Sequence, residues 1–230
     1  MNSNFVPPGT PAPAKPVLLA MTAVMMLMLA VVGVGCAEAA GWEYRGRVEM
    51  AGPVEKNLNL LVMTEIRSRN DLHTHNESHF SMGLEWKVNK WLALGPHYRH
   101  VTSEKVGVWR VEHRPYFDAT LSWMSLGMSI SNRNRLEYRM IEGYEAFRYR
   151  TRLTLKLPAA VLPGFQPYCS GEVFYAFDAG EINKTRLIAG FDLRVLGSVR
   201  LGVNYVLDSV KRAAYWQDLN ALTVALKYKP

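Results

Sequence analysis

Two nearby segments carry charge at strict period two: Arg133, Arg135, Glu137 and Arg139 in SNRNRLEYRM, then Arg148, Arg150 and Arg152 in FRYRTRL. Period two is strand spacing, so each set shares one face of a strand. The opposite faces carry Leu136, Tyr138 and Met140 in the first segment and Phe147, Tyr149, Leu153 and Leu155 in the second. A strand with guanidinium groups on one side and apolar groups on the other needs a wet or ion-paired compartment facing an apolar one. A β-barrel that spans a bilayer supplies both.

The N-terminus points the same way. Residues 17–35 carry no charge, follow Lys15 and lead into Ala37-Glu38-Ala39. This reads as a secretory signal over 1–39, cleaved after Ala39 and followed by one domain over 40–230. Retention of the apolar run as a spanning helix is the alternative. A second alternative is acylation of Cys36 in the box Gly33-Val34-Gly35-Cys36, where Gly33 stands in place of the usual Leu. Removing 1–39 takes away one base, Lys15, and one acid, Glu38, so the net charge stays +7. With no recognition helix or basic tail, that balance argues against nucleic acid. It favours anionic outer-membrane lipid and lipopolysaccharide as partners. Cleavage leaves Cys169 as a single thiol in the apolar phase, which excludes an intrachain disulfide.

The remaining chain is a succession of alternating segments: 42–51, 57–69, 77–88, 91–103, 107–121, 126–140, 145–157, 165–177, 182–195, 199–209 and 217–229. Most exceed the five to six residues of an average globular strand and suit a tilted membrane strand. Tight connections at 89–90, 122–125 and 196–198 alternate with longer ones, as in an up-and-down antiparallel outer-membrane barrel. The count expected is ten to twelve strands. Ten close evenly with the C-terminus on the periplasmic side, so 42–51 lies inside the barrel or at its base, or else a further strand makes twelve. Leu187, Ala189, Phe191, Leu193 and Val195 exemplify the lipid-facing phase. Trp86, Trp91, Trp109, Trp123 and Trp216 sit near segment ends, where aromatic girdles belong. The last segment, with Leu222, Val224, Leu226 and Tyr228, has the form of a terminal strand read by the barrel-assembly machinery. Alternation alone leaves open a soluble periplasmic ligand-binding barrel with its apolar set inward.

The chain resembles the outer-membrane barrels of domain-of-unknown-function family 2490. The resemblance rests on the opening around Trp42, on Glu112-His113-Arg114, on the run 133–139 and on 148–153. It implies a small barrel in the bacterial outer membrane and brings no activity with it.

Arg110, Glu112, Arg114, Arg133, Arg135, Glu137, Arg139, Arg148, Arg150 and Arg152 form the candidate charge network of the lumen. A turn centred between Trp123 and Met124 sets Arg110 opposite Glu137 and Glu112 opposite Arg135. A turn around 141–144 sets Glu137 opposite Arg150, Arg135 opposite Arg152 and Arg139 opposite Arg148. Glu65, Glu172 and Asp192 are candidate counter-charges. Such a network rigidifies and plugs the lumen, or forms a constriction for a small solute or anion. A lipid-modifying hydrolase or acyltransferase is the enzymatic alternative. Its candidates, His97, His100, Ser103 and His113, lack a recognisable spacing. His73 and His75 offer a weak metal motif in a polar loop, and no cofactor-binding signature is present.

Overall fold

The computed structural model describes residues 41–69, 75–105, 107–158 and 164–230. The leader 1–39, and with it Cys36, lies outside these, as does His73. Eleven strands form a single closed barrel: β1 (Trp42–Glu55), β2 (Leu58–Arg69), β3 (His75–Lys87), β4 (Leu92–Lys105), β5 (Val108–Ser125), β6 (Met128–Ile141), β7 (Tyr144–Lys156), β8 (Phe165–Ala176), β9 (Glu181–Leu196), β10 (Val199–Lys211) and β11 (Trp216–Tyr228). Each pairs antiparallel with its sequence neighbours, and β1 closes onto β11 in parallel, from Trp42 opposite Asn220 to Met50 opposite Tyr228.

Eleven strands fall within the expected ten to twelve, while the even closure that parity favoured does not occur. Residues 42–51 belong to the wall. An odd number of strands, joined by an even number of antiparallel steps, leaves the first and last running in the same direction, and a parallel ladder joins such strands without leaving a free edge. Trp42 and Tyr228 consequently lie at opposite ends of the barrel. The end that carries the C-terminus also carries the β1–β2, β3–β4, β5–β6 and β9–β10 connections, so we call it the turn end.

Register departs from expectation by even steps. The β5–β6 hairpin turns at Leu126-Gly127, both with positive φ (50° and 76°), rather than at 122–125. Asp118 then faces Arg135 and Tyr116 faces Glu137, so neither predicted pair, Arg110–Glu137 or Glu112–Arg135, is a register pair. In β6–β7 the turn is Glu142-Gly143, and Glu137 faces Arg148, Arg135 faces Arg150 and Arg133 faces Arg152, while Arg139 faces Ala146. An even slip moves side chains along the lumen but leaves each on its own face.

The wall is inverted relative to a water-soluble barrel. Glu43, Arg45, Glu65, Glu137, Glu172, Arg186 and Asp208 are buried inside it. Ile66, Met82, Phe117, Leu136, Leu153, Leu187, Val224 and Leu226 are exposed outside. Cys169, a free thiol, has the outward phase in β8. All six tryptophans fall near the ends: Trp86, Trp91 and Trp123 toward the turn end, Trp42, Trp109 and Trp216 toward the other.

Candidate functional site

The lumen is ringed by a belt of ion pairs and hydrogen bonds drawn from ten strands. On β5, Asp118 accepts both nitrogens of an Arg135 fork, at 2.6 and 2.7 Å. Arg135 also stacks 3.7 Å over the Tyr116 ring and lies 3.6 Å from Glu137. Glu137, fully buried, accepts from Arg148 on one oxygen and Arg150 on the other. Arg150 continues to Glu172 at 2.8 Å, which also accepts from Arg152 at 2.8 Å. Arg186 lies 3.8 Å from Glu172 and bonds Asp208 at 2.9 Å. Asp208 in turn accepts from Arg45 of β1 at 2.8 Å and from Lys184 at 3.1 Å. Arg45 bonds Glu43 at 2.6 Å; Arg67 of β2, 3.9 Å from Glu43, reaches Glu65 at 2.7 Å and Glu77 of β3 at 3.1 Å. On β4, Arg99 donates to Ser81 at 2.8 Å, and His97 stacks on Tyr116, 3.9 Å from Asp118. Alternate acid and base let each buried carboxylate meet more than one donor, the condition under which charge is tolerated in a low-dielectric interior.

β11 is the strand that stands aside. Its inward positions Ala221, Thr223 and Ala225 are small and buried. The missing volume lets Arg45 pass over β11 to Asp208 on β10. On the far side of the belt Phe174 is buried in the lumen, with the Arg150, Arg148, Lys184 and Arg186 cations 4.6 to 5.7 Å from its ring centre. Cation–π contact adds to burial there.

The ten residues of the candidate network are thus placed unequally. Arg133, Arg135, Glu137, Arg148, Arg150 and Arg152 lie in or against the belt. Glu112, Arg114 and Arg139 make a cluster beyond it, with Glu112 bonded to Arg114 at 2.9 Å and to Arg139 at 2.6 Å. Arg110 is exposed at the rim and joins no ion pair among the described residues. Of the candidate counter-charges, Glu172 pairs with the β6–β7 arginines, Glu65 with Arg47 and Arg67, and Asp192 with Lys227 at 2.6 Å. Sequence reasoning missed Glu43, Arg45, Arg67, Asp118, Arg186 and Asp208. The period-two run Glu43, Arg45, Arg47, Glu49 was the available signal.

Toward the turn end the lumen opens into a cavity of about 550 Å³. Thirteen arginine and lysine side chains line it against four carboxylates, Glu49, Glu65, Asp118 and Asp192, so an entering solute meets a surplus of positive charge. Ser198, Tyr228 and Lys229 mark its mouth, and Arg45, Arg135, Arg150 and Arg186 its floor. The lining includes none of Glu112, Arg139, Arg148, Phe174 or Lys184.

A family model described as "Protein of unknown function (DUF2490)" matches residues 46–219. The chain belongs to the DUF2490 family. No curated protein matches it. The matched region of this DUF2490 chain begins just after Arg45 and takes in Arg67, Asp118, the β6–β7 arginines, Glu172, Arg186 and Asp208. Chemistry beyond ion pairing is sparse in it. His100 and His113 project outward from β4 and β5 with their ring centres 5.3 Å apart, and Tyr98 bonds His113. Ser103 and His97 have the opposite, inward phase, so the four candidate enzymatic residues do not converge. His75 lies 3.0 Å from Ser78 and stacks on Trp109, but its Nδ1 has no hydrogen-bond partner among the described residues, so no carboxylate orients it as a base. Among the described residues no three His, Cys, Asp or Glu side chains group to hold a metal.

Proposed function

We propose that this protein is a bacterial outer-membrane β-barrel, delivered by the leader 1–39, whose arginine-rich lumen is sealed by the ion-pair belt. Its role is structural, and it does not work as an open pore. The inversion of the wall carries this reading. Burying Glu137 and Asp208 while leaving Leu136, Leu187 and Leu226 outside is unfavourable in water and favourable in hydrocarbon. The two tryptophan groups support it. β5 carries a member of each, Trp109 and Trp123, and that stretch rises about 35 Å at about 3.3 Å per residue and a tilt of about 40°. A bilayer with its interfaces offers about 30 to 45 Å. Lipid and lipopolysaccharide are then the outer partners, and the barrel-assembly machinery the inserting one.

The test is migration of the outer-membrane fraction on a detergent gel with and without boiling, paired with single-channel recording. Faster migration unboiled and no conductance are expected; a soluble periplasmic protein without that shift overturns the reading. Leu187→Arg, at the centre of an outward face, is expected to cost about 2–4 kcal/mol in vesicles if that face meets lipid. An unchanged urea midpoint argues against lipid contact. An anion-conducting lumen is the second reading, favoured by the cationic surplus of the cavity. Neutralising Arg135 and Arg150 separates the two: loss of folding alone supports the seal, whereas an anion-selective current supports the pore.

A further inference from the structure

The cavity has a feature that sealing does not require. Arg133 and Arg152 stand directly opposite each other on β6 and β7. Like charges so opposed destabilise a sheet unless something lies between them. Both draw on Glu172, Arg152 at 2.8 Å and Arg133 at only 3.5 Å, yet that carboxylate already serves Arg150 and lies near Arg186. Four guanidinium groups therefore converge on one acid. The Nε of Arg152 is buried without a hydrogen-bond partner. On the mouth side of this pair, register brings together Ser131, Thr154 and Ser170, and all three line the cavity. Lys156 is next along β7 and faces the ring of Tyr168, its ammonium 5.9 Å from the ring centre.

Two guanidinium forks short of acceptors, three hydroxyls and an ammonium suit a tetrahedral oxyanion with several acceptor oxygens. The cavity volume falls within the range of small-ligand sites. We propose that the cavity binds the phosphate group of a phosphate monoester, entering from the turn end, with Arg133 and Arg152 gripping the phosphate and Ser131, Thr154 and Ser170 donating to its remaining oxygens. The phosphate belongs to a free solute or to a lipid headgroup. Either presents the same dianion.

Calorimetric titration of the full barrel, refolded in neutral detergent at fixed ionic strength, tests this with two probes: inorganic phosphate and dihexanoyl phosphatidic acid. Saturable heat with both assigns the site to phosphate as such and admits a free solute, while heat with the lipid alone assigns a headgroup. Arg133→Gln and Arg152→Gln are each expected to weaken binding about tenfold or more, the scale of a lost charge-assisted bidentate contact. Arg152→Lys should recover part of the loss. Arg212→Gln, at the opposite end, should change nothing. Folding of each variant is checked by its shift on unboiled gels. If the arginine variants do not fold, Ser131→Ala combined with Thr154→Ala keeps every charge, and weaker binding is still expected. No saturable heat with either probe, no preference over chloride, or binding indifferent to the folded variants overturns the proposal. A non-conducting barrel that ignores phosphate would sink this inference and leave the sealed-barrel reading standing.

Discussion

The two halves of the lumen use the same strands and the same residue types, yet one is packed with paired charges and the other holds a cavity. Around Glu137, Glu172 and Asp208 each acid collects two or more cations from its own or nearby strands. Toward the turn end Arg99 bonds a serine, and Lys156 and Arg200 take part in no ion pair among the described residues. Those long cations stay near the wall and leave room. The ratio of acid to base differs between the halves: the lining of the cavity carries thirteen cations against four carboxylates. A buried charge can cross the axis only toward a partner.

That contrast can be broken most directly at Glu137. Glu137→Gln leaves Arg148 and Arg150 short of their shared acceptor, and removing one member of a buried pair costs about 3–5 kcal/mol. Urea unfolding in vesicles should register the whole loss. A smaller effect is expected where the belt passes over β11. Ala221→Leu puts bulk beneath the Arg45–Asp208 bond and should cost about 1–3 kcal/mol, the usual range for overpacking, with the same readout. Lys156→Gln, in the hollow half, should stay within about 0.5 kcal/mol of the parent. If Lys156→Gln matched Glu137→Gln, the distinction between halves would fail.

All eleven segments were legible in the sequence, because alternation over long runs leaves little choice of secondary structure. The faces were legible too, because phase survives any even slip of register. Pairing was not. The β5–β6 turn uses Leu126 at positive φ, a conformation for which leucine is an unusual choice, while the strand-like run Ser122–Ser125 resembled a turn by composition. That displacement hid Asp118 as the partner of Arg135. The closure was missed for a different reason: counting strands in pairs presumes that both chain ends leave from one mouth. Arg45 and Asp208 were invisible as partners because they meet past an intervening strand, which no local period encodes, whereas Arg186 faces both Glu172 and Asp208 directly in register.

The seam between β1 and β11 is the weak place in such a wall. Parallel ladders hold with slanted, slightly weaker bonds, and here the strand hydrogen-bonded last in synthesis must find the one made first, sliding in the same direction with no hairpin to guide it. The bond from Arg45 to Asp208 straddles that join from within, tying β1 to β10 across the newcomer. A barrel caught before this bond forms would be a sheet with two open margins. The arginine of β1 then works as a latch across the seam.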